Sequence, residues 1–586
     1  MPDGEEEVVG ETTEGLQVEL FHPETDRKPG DTNIQRFGFD IHPVVFPVAA
    51  VVIIAFIVAT LGVGPETAGK IFLDVQNFFI TNFGWYYILS VNVFIAAMVY
   101  FAISKYGKIR LGGVEADHEF SYFSWGAMLF SAGMGIGLMF WSVAEPMTHF
   151  MTGGGNFFAA KPQTGEAAQA ALTVTFFHWG FHPWAIYGIV ALGLGFFSFN
   201  RGLPLTFRSV FYPLLGDRIY GWWGHIIDLI TVFATLFGLG TSLGLGAQQI
   251  NAGLNAVFGL AQGTAAQVAI IAVITGIATL SVAAGLDRGV KRLSHINVYI
   301  MVLFLAFMFI VGPTLTILGG VVQTVGFYLQ NFFEMSFYTE TLMGDFAGLR
   351  QGGYEGWLGA WTVFYWSWWL AWSPFVGLFI ARISRGKTVR EMIVGVLLVP
   401  TAFSFLWLGT FGVSALYAQT QMGAGILAAF YDPYVPEKAM FAMLEAYPLT
   451  TLTSLVAMLL VTTFFVTSSD SGSLVVDHLT SGGKHDVPRT QRIFWAITEG
   501  AVAAVLLIGG GLNALQTASI STGIFFGVIL TIMVYSVYVG LNTEYTILQS
   551  EEFRDRVSEI AESGDVEVDV SGGDIVTGVS DAESSD

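Results

Sequence analysis

Apolar residues in this chain run in long blocks, parted by short joints rich in glycine, proline and charge. A helix crosses the hydrocarbon core of a bilayer in roughly 20 residues, so each block predicts a membrane helix. Twelve follow, at about 44–64, 84–104, 119–150, 170–199, 221–258, 265–285, 295–318, 357–383, 389–417, 448–481, 490–513 and 519–543. Segments of this length tilt or extend past the bilayer. Between the seventh and eighth, GVVQTVGFYLQNFFEMSFYT is apolar but interrupted by polar residues, which predicts an amphipathic helix lying on the outer surface.

The positions of lysine and arginine orient these spans. Alternate loops carry 16 of them, from Lys105, Lys108 and Arg110 through Lys484, Arg489 and Arg492. The opposite set holds Lys70, Lys161, Arg350 and Lys438. Cytoplasmic loops are the basic ones, so both termini are expected in the cytoplasm of a multi-pass plasma-membrane protein.

Composition sharpens this picture. Mean hydropathy is +0.61, and charged residues make up 12% of the 586, where water-soluble domains carry about 25%. The net charge of −21 is concentrated at the ends: 11 acidic residues precede His42 and 13 follow Leu541. Residues 1–41 and 546–586 therefore read as acidic, solvated cytoplasmic tails flanking a membrane domain over 42–545. The acidic start does not read as a signal peptide. Without cysteine, disulfides and thiolate chemistry are excluded. No phosphate-binding loop of the GxxxxGK[ST] type is present, which argues against a nucleotide-driven pump. Nothing in the pattern suggests a nucleic-acid partner or a catalytic nucleophile with its base.

The chemistry gathers in four spans. In the eighth, WTVFYWSWWLAWSPFVGLFIARISRG places Trp368, Trp369 and Trp372 within about 100° of arc, with Trp366 elsewhere. Such indoles belong either to an interfacial aromatic belt or to a cage for a cation without N–H groups, held by cation–π attraction. In the fourth, FFHWGFHPWAIYG brings Trp179, Trp184 and Tyr187 within about 140°, around Pro183. His178 and His182 have the i, i+4 spacing of a zinc pair, yet histidines beside a proline also serve carbonyls freed from the ladder.

The third span carries SAGMGIGLMFWSVAEP, with Gly133, Gly135 and Gly137 at alternate positions. Gly133 and Gly137 satisfy a helix-packing GxxxG; all three together also suit an unwound stretch that offers backbone groups to ions and a substrate carboxylate. Glu145, followed by Pro146, reads as structural. In the tenth span, TTFFVTSSDSGSL offers Thr467 and Ser468 as neutral oxygens for a hard monovalent cation. Asp470 either acts as a functional intramembrane charge or pairs with a cytoplasmic arginine.

These motifs, with SLGLGAQQI, resemble the betaine/carnitine/choline transporters over roughly positions 40–545. The resemblance implies an all-α polytopic membrane protein of twelve helices: two leading helices, then two inverted five-helix repeats, spans 3–7 (about 119–318) and 8–12 (about 357–543). It implies secondary active import of a quaternary-ammonium compatible solute, glycine betaine above all, for osmoprotection, with sodium as coupling ion and no other cofactor. A homotrimer is also implied.

By the same resemblance, Trp179, Trp184, Tyr187 and Trp369 form an aromatic box, with Trp368 and Trp372 adjoining it. A sodium site draws on backbone oxygens of Ser131, Met134 and Phe464 and the hydroxyls of Thr467 and Ser468. A second sodium site would use Thr235 and Phe375, but its other threonine is here Leu239. Proton-coupled choline carriers tend to have aspartate where this chain has Gly137, and sodium-independent carnitine antiporters carry an arginine in the fifth span. From Gly221 to Gly259 this chain has neither lysine nor arginine. Sodium symport of betaine is thus expected, with antiport or proton-coupled uptake of choline or carnitine as the alternative.

Overall fold

A computed structural model describes residues 27–114, 116–133, 135–284, 287–341, 356–484, 486–551 and 553. The expected tails therefore lie mostly outside the described residues. The long helices are α1 (Val45–Val63), α2 (Pro65–Ile103), α3 (Tyr122–Gly133), α4 (Ile136–Thr152), α5 (Gly165–Trp179), α6 (Phe181–Phe199), α7 (Trp222–Phe258) and α8 (Thr264–Ala284). They continue as α9 (Asp287–Val311), α10 (Thr314–Ser336), α11 (Phe364–Ile383), α12 (Val389–Gln421), α13 (Thr450–Thr480) and α14 (Arg489–Leu548). Among the described residues, nine helices are long and apolar enough to cross a membrane, or ten if the bent pair α9–α10 counts as one span. The protein is an all-α polytopic membrane protein.

Several boundaries move from those expected, each for a local reason. α2 begins about twenty residues before the predicted second span, because Pro65 starts it and its charged residues are one-sided. Glu66, Lys70 and Asp74 recur every fourth position and are all exposed, so they follow one stripe of a helix instead of interrupting it. The third span is two helices, parted at Gly135, whose backbone is extended (φ −164°, ψ −175°). The fourth is also two, parted at Gly180. The eleventh and twelfth follow each other without a loop, parted only by non-helical backbone at Gly510 and Gly511. α10 turns 108° away from the span before it, in keeping with a helix lying along the surface. Its buried residues include Ile317, Thr324 and Tyr328, while Leu315, Val322 and Phe333 are exposed.

The exterior is apolar as well as the core. Val51, Val58, Leu280, Leu303 and Ile310 are exposed on helix flanks, as suits a surface that meets lipid. α11 lies against α6, α7 and α14, and α7 runs along α13 and α14. This places the tryptophan-rich helix at the centre. α12 starts on a reciprocal capping box, in which Thr388 Oγ1 accepts from the Glu391 amide and Glu391 accepts from the Thr388 amide.

Residues 34–41 fold into a two-stranded hairpin, β1 (Ile34–Arg36) and β2 (Phe39–Ile41). Its two-residue turn, Phe37-Gly38, has positive φ at both positions, the backbone that matches the twist of a hairpin. Part of the acidic N-terminal segment is thus ordered. The hairpin is pinned by Lys484, which pairs with Asp40, and by the Gln491 side-chain carbonyl, which accepts from the Asp40 amide at 3.1 Å.

Candidate functional site

The break at Gly180 decides where the fourth-span aromatics sit. A Cβ on Gly180 would lie 2.6 Å from the Phe176 carbonyl oxygen, so this sharp junction requires glycine. Trp179 ends α5 before the break, and Trp184 and Tyr187 stand on α6 after it. α11 faces both, with Trp368 and Trp369 stacked at 5.0 Å between ring centroids and 12° between planes.

The rings form a chain of edge-to-face contacts, the geometry aromatic quadrupoles prefer. Trp179 meets Trp369 at 4.8 Å and 74°. Trp369 meets Tyr187 at 6.2 Å and 82°, and Tyr187 meets Trp184 at 5.3 Å and 79°. Trp368 reaches Trp179 at 6.4 Å. All five are buried, with the four expected box members 3–7% exposed. Two indole N–H groups are anchored: Trp369 donates to the His178 carbonyl at 3.0 Å, and Trp368 to Ser242 Oγ at 3.2 Å. Trp372 contacts Phe375 at 5.3 Å, one turn further along α11. Trp366 points elsewhere and stacks on His182 at 5.2 Å and 17°.

The glycine segment approaches this cluster directly. A Cβ on Gly137 would come within 2.3 Å of Trp368 Cη2, whereas one on Gly135 would meet nothing within 4 Å. Gly137 is therefore a packing glycine under an indole, and Gly135 marks the break. Only the backbone helix assignment covers Ser131 and Gly133, and Met134 lies outside the described residues.

Glu145 occupies a place that its sequence context did not announce. It is fully buried. Its Oε2 accepts from Trp179 Nε1 at 2.8 Å and from Tyr365 Oη at 2.6 Å, while its Oε1 lies 2.6 Å from His178 Nδ1. His149 stands beside it at 3.6 Å. Sequence spacing had paired His178 with His182; instead His182 bonds Ser336 at 2.9 Å, and the groups near His178 are Glu145 and His149. Those three place ligand atoms within 4.8 Å of one another. His178 is already bonded at both ring nitrogens, to Glu145 and to Thr362 Oγ1, so it has no ring nitrogen left for a metal, and His149 stands near the pair without a hydrogen bond to it. The one legible signal was the i, i+4 spacing of Glu145 and His149.

In α13, Thr467 Oγ1 donates to the carbonyls of Thr463 and Phe464 at 2.9 and 3.2 Å; Ser468 is half-buried beside it. Asp470 pairs with Arg492 at 3.1 Å, the structural alternative anticipated for it. In α7, Thr235 is buried and donates to the Thr231 carbonyl. Leu239 packs against α13 so closely that a Cβ on Gly472 would sit 2.4 Å from Leu239 Cδ1.

Comparison with known proteins agrees on one lineage. A family model described as "BCCT, betaine/carnitine/choline family transporter" matches residues 44–546. Glycine betaine transporter 1 of Vibrio parahaemolyticus is 47% identical over 523 residues, 89% of this chain and 97% of the relative. A glycine betaine/proline/choline transporter of the same organism is 44% identical over 538 residues, 89% of this chain and 94% of the relative. The glycine betaine transporter OpuD of Bacillus subtilis is 42% identical over 494 residues, 84% and 93% respectively.

Proposed function

The chain belongs to the betaine/carnitine/choline transporter family, and from that premise we propose that it imports glycine betaine by sodium symport. It is a membrane transporter and not an enzyme. The observation that carries the substrate reading is the edge-to-face chain Trp184–Tyr187–Trp369–Trp179. A trimethylammonium group has no proton to donate, so its recognition falls to aromatic faces, each worth roughly 0.5–2 kcal/mol. Relatives named as glycine betaine transporters support the choice. The relative named for betaine, proline and choline favours choline as a second substrate.

Sodium would be held by Thr467 and Ser468 with the carbonyl of Phe464 on α13 and those of Ser131 and Met134 on the third span. This set ties the two proposed five-helix repeats together at the break near Gly135. A second ion at Thr235 and Phe375 lacks an oxygen where Leu239 stands. The membrane path has twelve spans in this reading: the break at Gly510–Gly511 divides α14 in two, and α9 and the α3–α4 pair each cross once. Both termini are cytoplasmic, and the protomers assemble as a trimer. Uptake of labelled betaine, choline and carnitine into proteoliposomes, with and without an inward sodium gradient, tests the substrate and the coupling ion. Betaine uptake that ignores the gradient would replace symport with antiport or proton coupling.

A further inference from the structure

The carboxylate of Glu145 is coated with donors and has no cationic partner. Trp179 contributes an indole N–H, which has no acceptor role, and Tyr365 a phenolic O–H. His149 accepts the Trp357 indole N–H on Nδ1 at 3.3 Å, so its proton sits on Nε2, the nitrogen nearest Glu145. His178 adds its Nδ1 at 2.6 Å. No lysine or arginine pairs with Glu145 among the described residues. A charge at this depth is costly unless a counter-charge comes to it.

One donor, Trp179, belongs to the proposed cage, and the others lie against it. Trp179 is bonded to Glu145 through its ring nitrogen while its ring meets Trp369 at 4.8 Å. Tyr365 is bonded through its hydroxyl while its ring lies 5.9 Å from Trp369 and 5.6 Å from Trp179. Trp369 hangs from the backbone carbonyl of His178, whose side chain meets Glu145. An indole whose N–H is bonded to a carboxylate carries more electron density on its face, and that face attracts cations.

We propose that Glu145 is a positioning and specificity residue of the substrate site, orienting Trp179 and Tyr365 and holding a negative charge behind them that selects substrates with a trimethylammonium head over those of the same shape whose head is uncharged. The inference rests on the betaine reading of the aromatic site and assigns the electrostatic part of its selectivity to one residue on α4. The substrate completes an ion pair across the ring instead of touching the carboxylate.

The test uses two ligands of equal shape: glycine betaine and its carbon isostere, tert-butylacetate, which replaces the quaternary nitrogen by carbon and removes the positive charge. Affinities are measured by tryptophan fluorescence on the full-length protein in nanodiscs, with thermal unfolding recorded for every variant. Glu145→Gln is expected to reduce the preference for betaine by about 10-fold, the scale of one charge acting across several ångströms of protein. Tyr365→Phe removes one donor and leaves the charge, so it should weaken both ligands alike and keep the preference. If Glu145→Gln fails to fold, Glu145→Asp decides: charge kept and reach shortened should lower both affinities together, and a collapsed preference there overturns the proposal. A parent without preference for betaine sinks the trimethylammonium reading and this inference with it. A parent that prefers betaine and a folded Glu145→Gln that keeps the full preference sinks this inference alone.

Discussion

Trp369 and Trp366 lie on the same helix and have the same chemistry, yet their surroundings give them different tasks. Trp369 presents its ring to Trp179 and Tyr187, whereas Trp366 is walled in by His182 and Phe177. Trp369→Leu is expected to cost roughly 1–2 kcal/mol of betaine binding, about 5–30-fold in affinity. Trp366→Leu should spare binding. It leaves affinity near that of the parent and destabilises the fold by about 2–4 kcal/mol, the range of truncated buried aromatics. Binding titrations beside thermal unfolding separate the two, and equal loss of affinity in both would remove the cation–π account. Gly137 shows where composition alone misleads. Reading it as the counterpart of a choline carrier's aspartate treats it as a charge question, but the Trp368 ring fills the space a Cβ needs. An aspartate there would displace the indole before its charge could act.

Between elements, the contact of α7 with α13 carries the most direct consequence. Leu239 is buried against Gly472, so Gly472→Ala should destabilise the protein by about 1–3 kcal/mol through overpacking. Leu239→Ala should restore much of that loss, giving a coupling of about 0.5–3 kcal/mol between the two positions. Strictly additive unfolding free energies would show that the helices separate freely at this point. The same leucine explains part of what the sequence disclosed. Its departure from a threonine pair was visible in the chain, but its partner, 233 residues away, was not. The helices themselves were legible because lipid demands long apolar runs, and the unwound segment near Gly135 because alternate glycines weaken a helix. The break at Gly180 was expected at Pro183 instead. Proline is tolerated in a first turn, where its missing N–H costs nothing, so the helix restarts just ahead of it. The role of Glu145 was not legible, since the donors that define it come from α5 and α11, 33 to 220 residues away.

At the scale of the whole molecule, the hairpin and the proposed sodium site answer to different variables, pH and ion concentration. Burial alone would raise the Asp40 carboxyl, but Lys484, Asn33 and Gln35 outweigh it and hold the group below its ordinary value of about 3.8. Stability from a lowered carboxyl is present above the unfolded-state value and is lost as pH falls through the folded one. Hydrogen-exchange protection over residues 34–41, corrected for the intrinsic rate at each pH, should therefore be unchanged from pH 8 to about 5, and should fall only in stronger acid. A fall in protection near neutrality would mean that another group holds the hairpin. Deeper in, Thr467→Val with Ser468→Ala should sharply raise the sodium concentration for half-maximal uptake. Reciprocally, betaine should then strengthen sodium binding less than it does in the parent. Because Leu239 offers no oxygen, sodium dependence in the parent should follow a Hill coefficient near one; a value near two would reveal a further ligand for Thr235. A last consequence follows from the rings around Trp369, of which 3–7% is exposed. No solute enters or leaves such a cluster by diffusion through standing water. With the proposed site at these rings, each passage has to part the indoles, and collective motions of that size run on microseconds to milliseconds. Throughput is then a tally of openings, so raising the solute concentration fills the queue without quickening the turnstile.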